Sequence, residues 1–146
     1  MKIRYASEAD TDAMLFLLKE LFRKEADFRF DEVRQRRGLE MMLAEQKNRC
    51  LMLAEINGRV VGMCSVQLLI STAEGNFSGL VEDLSVHPEY QAKGIGSALL
   101  KTVEKWAVSK GASRLQLLAD RNNETALDFY QKQDWQRTQL ICLRKK

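Results

Sequence analysis

The chain of 146 residues has one histidine, one proline and three cysteines, and its 23 basic residues nearly balance its 20 acidic ones. Each scarcity removes a class of function. A formal net charge of +3 gives no electrostatic argument for a nucleic-acid or membrane partner. The cysteines, Cys50, Cys64 and Cys142, are odd in number and match no zinc-ligand spacing. They sit in apolar, strand-like runs and read as reduced core residues, so no metal site is expected. The N-terminus lacks the apolar core of a signal peptide, and no apolar run approaches a membrane span. A cytoplasmic location is the default expectation. Repeats, low-complexity tracts and linkers are missing too. The length suits a single domain, residues 1–146, able to bury about two thirds of its unfolded surface.

What the chain does have is one glycine-bearing stretch, Gln91-Ala92-Lys93-Gly94-Ile95-Gly96-Ser97, between an apolar strand pattern over Leu80–Val86 and a helix pattern running to Lys110. Backbone N–H groups are unpaired at such a handover, and the helix dipole there favours an anion. Glycine lets the main chain approach a ligand and takes positive φ at little cost. The stretch reads as a pyrophosphate cradle, with Lys93 suited to phosphate. Other phosphate motifs fit poorly. A Walker loop needs Gly-Lys-Ser/Thr in that order, and here the lysine precedes the glycine. A dinucleotide fingerprint needs a third glycine where Leu99 stands, and its first glycine follows the strand almost directly. Asp120, at a later strand end, resembles a ribose-binding acid and keeps that reading open.

The other elements follow from pattern and punctuation. Lys2–Ala6 alternates as a short strand, and Ser7 with Asp10 resembles a capping box before a helix carrying Met14, Leu17, Leu18 and Leu21 on one face. From Asp31 a second helix is predicted, with Val33, Leu39, Met42 and Leu43 partly in register. Its Arg34, Arg36 and Arg37 read as a solvated helix face, with a basic patch as the functional alternative. Cys50–Ile56 and Arg59–Ile70 are strands joined by an Asn57-Gly58 hairpin turn, and Gly62 marks a bulge. Phe77–Val86 leads to the cradle. The helix after it aligns Ile95, Leu99, Val103 and Trp106 for core packing and stops at Gly111. Arg114–Ala119 is a strand parallel to the one before the cradle. Asn123 caps a short helix reaching Tyr130 or Lys132, and Trp135–Thr138 and Leu140–Arg144 are read as two final strands.

Two blocks carry a resemblance. Val81 to Gly96 resembles the acetyl-CoA-binding motif of the GNAT family of N-acetyltransferases, whose core is Q/R-x-x-G-x-G/A, here Gln91, Gly94 and Gly96. Asn123 to Tyr130 resembles the family's N-x-x-A-x-x-F-Y segment, and the blocks stand in the family's order. One departure is Asp134-Trp135, where the family often has glycine then phenylalanine; aspartate tolerates the left-handed conformation better than most residues. The resemblance implies an α/β fold: a mixed, largely antiparallel sheet with a splayed parallel strand pair and helices on both faces. It implies acetyl-CoA as acetyl donor, transfer to a primary amine by direct attack, an acceptor side lined by the first two helices, and a homodimer in many members. The acceptor class, small molecule or peptide, stays open.

The resemblance also distributes the site. Backbone groups of Leu84, Ser85 and Val86 would pair with the pantetheine amides as an added strand does. Gln91, Ala92, Lys93, Gly94, Ile95, Gly96 and Ser97 would hold the pyrophosphate, and Asn123 would face the cofactor from the opposite side. An alkyl amine, with a pKa of ~10.4 by analogy with lysine, arrives protonated and needs a base. By strict alternation Glu82 shares a face with Leu84 and Val86, which makes it the base, directly or through water, with Asp83 in reserve. Tyr130 is the acid, since a phenol at ~10 can protonate a thiolate whose thiol sits at ~8.5. His87 precedes Pro88 and lies past the strand end, which argues against it as base. Two rivals remain: a non-catalytic acyl-CoA-binding module and a dinucleotide-binding protein.

Overall fold

Nine regular elements follow one another through the computed structural model, which describes residues 1–146. They are β1 (Lys2–Tyr5), α1 (Thr11–Arg23), α2 (Glu32–Ala44), β2 (Arg49–Ile56), β3 (Arg59–Ser71), β4 (Asn76–Val86), α3 (Ile95–Ser109), β5 (Ala112–Leu117) and α4 (Glu124–Lys132). Short 3-10 turns occupy Glu8–Asp10 and Pro88–Tyr90. The strands form one sheet in the order β1-β2-β3-β4-β5. The first four pair antiparallel and β5 runs parallel to β4, the mixed sheet that the sequence led one to expect. The chain divides into two compact units, Met1–Gln116 and Leu117–Lys146.

In the first unit the sheet is packed on both faces. The Met63 side of β3 meets α1 and α2 in a cluster with Met14, Leu17, Leu18, Leu39, Leu51 and Leu53. The opposite side of β3 meets α3: a Cβ placed on Gly62 would come within 2.9 Å of Leu99 Cδ1 and 3.3 Å of Ile95 Cγ2. That close approach, beside a register shift between Ala54 and Glu55 of β2, is what the glycine serves. Burial on both faces explains why Cys50 to Ala54 form one apolar run without alternation. Asn57 and Gly58 both take positive φ, 50° and 78°, as the hairpin signal required.

Polar contacts fix the first helix. The Asp10 carboxylate accepts from the Ser7 N–H and hydroxyl, and it pairs with Arg4, which also binds Glu55. The Arg4 guanidinium holds the Asp10 carboxyl down at about 2. Helix α2 differs from its expected register. Leu39 alone among its residues is buried, and Val33 is 67% exposed. Asp31 caps the helix by accepting from the Val33 and Arg34 N–H groups. Arg36 is paired with Asp12 at 3.0 Å and Glu32 at 3.1 Å, and Arg34 with Asp31 at 3.6 Å, the solvated-face reading of that arginine run.

In the second unit, Asn123 caps α4 by accepting from the Ala126 N–H at 3.1 Å. Asp134 takes φ 67°, so aspartate fills the left-handed place after the helix. Two expectations fail here. Residues 135–146 form no strand, and Leu140, Ile141 and Leu143 are exposed. Cys142 is exposed with them, whereas Cys50 and Cys64 are buried free thiols as expected. The apolar run Leu140–Leu143 carries strand propensity but finds no partner strand in this chain, and propensity without pairing makes no strand.

Candidate active site

Strand β4 brings the acids and the 91–97 loop into the same unit. Its ladder with β3 is regular up to Glu82, which faces Ser65, and regular again from Ser85, which faces Met63. Between them β4 carries Asp83 and Leu84 where β3 carries Cys64 alone, so β4 bulges. Asp83 absorbs the extra residue with φ 54°. The bulge corrects the alternation assumed from sequence. Met63 packs among the α1 residues, so its partner Ser85 faces α1; the Ser85 hydroxyl donates to the Leu17 carbonyl at 2.8 Å. Gly62 faces α3, so its partner Val86 does too. Glu82 therefore shares the α1 side with Ser85, not the side of Leu84 and Val86.

The environment shifts both acids upward. Partial burial raises the Glu82 carboxyl. Asp83 is more enclosed: burial first, then the negative charges of Glu82 and Glu25, push it up to about 6. A carboxyl near 6 beside a more open carboxylate is the kind of pair that moves protons near neutrality.

Beyond Val86 the eight residues before α3 are ordered by local bonds. The His87 N–H donates to the Val61 carbonyl at 2.8 Å, its Nδ1 accepts from the Glu89 N–H at 3.1 Å, and the Tyr90 N–H returns to the His87 carbonyl at 2.8 Å. The Gln91 amide donates to the Val86 carbonyl at 3.1 Å and ties the loop to the strand end. Ala92 and Gly94 take positive φ, 60° and 82°, and Gly94 immediately precedes α3. A Cβ built on Gly94 would meet nothing within 4 Å, so the space beside it is open. No acidic residue stands in the first turn of α3, and its positive end is left for an external anion. Gly96 and Ser97 lie in that first turn. These features fit the phosphates of the cofactor that resemblance implies.

The structure thus gathers Glu82, Asp83, Leu84 to Val86 and Gln91 to Ser97 within the first unit. Asn123 and Tyr130 belong to the second, at the cap and on the body of α4. The Tyr130 ring packs edge-on to Phe129 at 5.3 Å and tilts against Trp135 at 6.3 Å. His87 is buried, its ring stacked on Phe16 at 5.0 Å. Sequence reasoning missed the bulge at Asp83 and the Ser85–Leu17 bond. Neither leaves a pattern in the chain, because Asp is not a residue that announces a bulge.

The profile of the acetyltransferase (GNAT) family matches residues 14–135, and the chain belongs to that family. An acetyltransferase of Yersinia pestis is 28% identical over 95 residues, a match covering 65% of this chain and 63% of that relative's length. Among solved structures, a transcriptional regulator from Bacillus halodurans is similar at 26% identity and a TM-score of 0.85, over 99% of this chain and 98% of the other. An aminoglycoside acetyltransferase from an uncultured soil metagenomic sample, in complex with sisomicin, superposes with a TM-score of 0.79 at 21% identity, over 99% and 95%. That second likeness is one of fold.

Proposed function

We propose that the protein is an N-acetyltransferase that moves an acetyl group from acetyl-CoA to a primary amine by direct attack in a ternary complex, without a covalent enzyme intermediate. The observation that carries this reading is the continuity of β4: a bulged strand bearing two acids with raised pKa runs into an open loop and an unneutralised helix N-terminus. Family membership supports the donor, since the family uses acetyl-CoA.

When bound, acetyl-CoA supplies an acetyl group activated as a thioester. The residues of the chain do the rest in this reading. The main chain of Leu84 to Val86 holds the pantetheine arm, and Gln91 to Ser97 hold the pyrophosphate. Glu82, on the open α1 side, takes the proton from the arriving ammonium, so that the neutral amine forms the new C–N bond. Tyr130 gives a proton to the sulfur as the C–S bond breaks, and the proton that the acylated nitrogen then loses restores the phenol, so one proton in all leaves by way of Glu82. Asn123 lines the cofactor side as well as capping α4. Asp83 is a second candidate base, favoured by its carboxyl near 6. The negative grouping of Glu25, Glu82 and Asp83 suits a cationic acceptor, a small-molecule or peptide amine.

The test is a thiol-release assay with acetyl-CoA across polyamines, amino acids, aminoglycosides and peptide amines. Thiol release that depends on one acceptor class supports transfer. Tight CoA binding with no release for any amine favours the binding module, and preference for a dinucleotide over CoA favours the nucleotide-binding rival.

A further inference from the structure

Beside the loop, Arg59, His87 and Tyr90, which the transfer chemistry does not use, form a cluster with Lys93 of the loop itself. Tyr90 is flanked by two cations: the Arg59 guanidinium lies 5.8 Å from its ring centroid and the Lys93 ammonium 5.3 Å. Arg59 follows the Asn57-Gly58 turn, and the pairing of β3 with β4 brings it to the end of β4 where the loop begins. There its guanidinium stands 2.9 Å from His87 Nε2.

That contact leaves a hydrogen unplaced. A neutral imidazole has one donor and one acceptor nitrogen. Here both nitrogens face donors, the Glu89 N–H at Nδ1 and the Arg59 guanidinium at Nε2. One of the two contacts therefore sets donor against donor, and an acceptor oxygen placed against Arg59 would relieve it. The chain offers only the Glu89 carboxylate, 3.8 Å from Arg59 and 73% exposed, a weak surface pair. A guanidinium with donors to spare, a second cation near the same aromatic ring and a proposed pyrophosphate loop containing that second cation together describe a seat for one more phosphate.

We propose that Arg59, with Lys93, binds the 3′-phosphate on the ribose of CoA. The inference rests on the acetyl-CoA reading and adds to it a residue outside the family's motif. CoA carries three phosphoryl groups: two form the pyrophosphate, and the third is a monoester at the ribose with its own dianionic charge. Main-chain N–H groups of the loop serve the first two. The third, displaced by a sugar, needs side chains that reach, and Arg59 presents a planar fork of donors suited to it.

The experiment compares dissociation constants of CoA and 3′-dephospho-CoA, by calorimetry, for wild type, Arg59→Gln and Glu89→Gln. Arg59 is 54% exposed, so its replacement leaves the fold intact. Wild type should prefer CoA by about tenfold, the size of one charge-assisted contact. Arg59→Gln should cut the ratio about threefold or more, Lys93 keeping the rest, while 3′-dephospho-CoA binds as before, and Glu89→Gln, which removes the competing anion, should widen it. A wild-type ratio of one, or an unchanged ratio in Arg59→Gln, overturns the proposal and leaves the acetyl-CoA reading standing. Failure of wild type to bind either nucleotide overturns both.

Discussion

Glu82 and Ser85 face the same side of the sheet although two residues separate them, because the facing stretch of β3 holds Cys64 alone. In an unbroken strand, residues three apart lie on opposite faces. The extra residue turns the acid toward α1 and leaves Asp83 enclosed at the point where pairing is interrupted. The bulge so decides which carboxyl faces which side of the sheet, and the two can be told apart by experiment.

Glu82→Gln keeps the shape and removes the base. CoA affinity should stay within about twofold, while kcat falls roughly 10²-fold on a verified acceptor. Asp83→Asn should cost less than about tenfold. Steady-state rates from pH 5 to 9 check the assignment. The reverse order of effects, with the limb near 6 vanishing in Asp83→Asn, would hand the role to Asp83.

The same aspartate makes a separate claim on stability. Its folded pKa, about 6, lies above its ordinary 3.8, so the folded state holds this proton more tightly than the unfolded state. Stability from this group is full below about 4, declines as pH rises toward 6, and stays reduced above it. Asp83→Asn removes that cost. The variant should be more stable than wild type at pH 7.5 by roughly 1–3 kcal/mol and gain nothing at pH 3.5. Urea midpoints at the two pH values measure the difference, and an equal gain at both would refute the titration account.

Gly96 stands in the first turn of α3, where phosphate oxygens should touch the main chain. Valine there sets a branched side chain against the ligand. CoA should bind at least about tenfold more weakly, ~1.4 kcal/mol, in a protein with an unchanged circular dichroism spectrum. Undiminished calorimetric affinity would remove the cradle.

Tyr130→Phe keeps the ring that packs on Phe129 and Trp135. Thermal midpoint and CoA affinity should therefore barely move. A lost general acid appears in kcat, by about 10²-fold, the lower end for such groups because a thiolate is a tolerable leaving group. Equal kcat under saturating acetyl-CoA would return Tyr130 to a packing role.

The legible parts of this chain were those governed by local chemistry. Asn57-Gly58 announces its turn because few other residues accept two positive φ angles in succession, and Asp31 and Asn123 announce helix starts because their side chains replace missing backbone partners. The face of α3 was visible because Ile95, Leu99, Val103 and Trp106 all reach the core. The passage from strand through loop to helix was visible because the apolar run before Val86, the glycines and the helix pattern after them agree. What escaped reading depends on partners distant in sequence. Whether Leu140 to Leu143 pairs is decided by another strand, and whether Glu82 stays in phase with Leu84 is decided by one surplus residue measured against β3. Val33 looked like a core position and is exposed because α2 buries little more than Leu39.

The bond from the Ser85 hydroxyl to the Leu17 carbonyl joins the middle of α1 to the strand that leads into the loop. Its acceptor is a main-chain oxygen, which every amino acid supplies. Substitutions at the exposed positions of α1 can alter the surface of that helix without loosening its fastening to β4. The fold thus separates two kinds of inheritance: the strand end has to keep a hydroxyl, while the helix above it, its core positions Met14, Leu17 and Leu18 apart, is open to change on its exposed face. A scaffold fastened in this way tolerates drift on the outer face of one helix and keeps the strand beneath it seated.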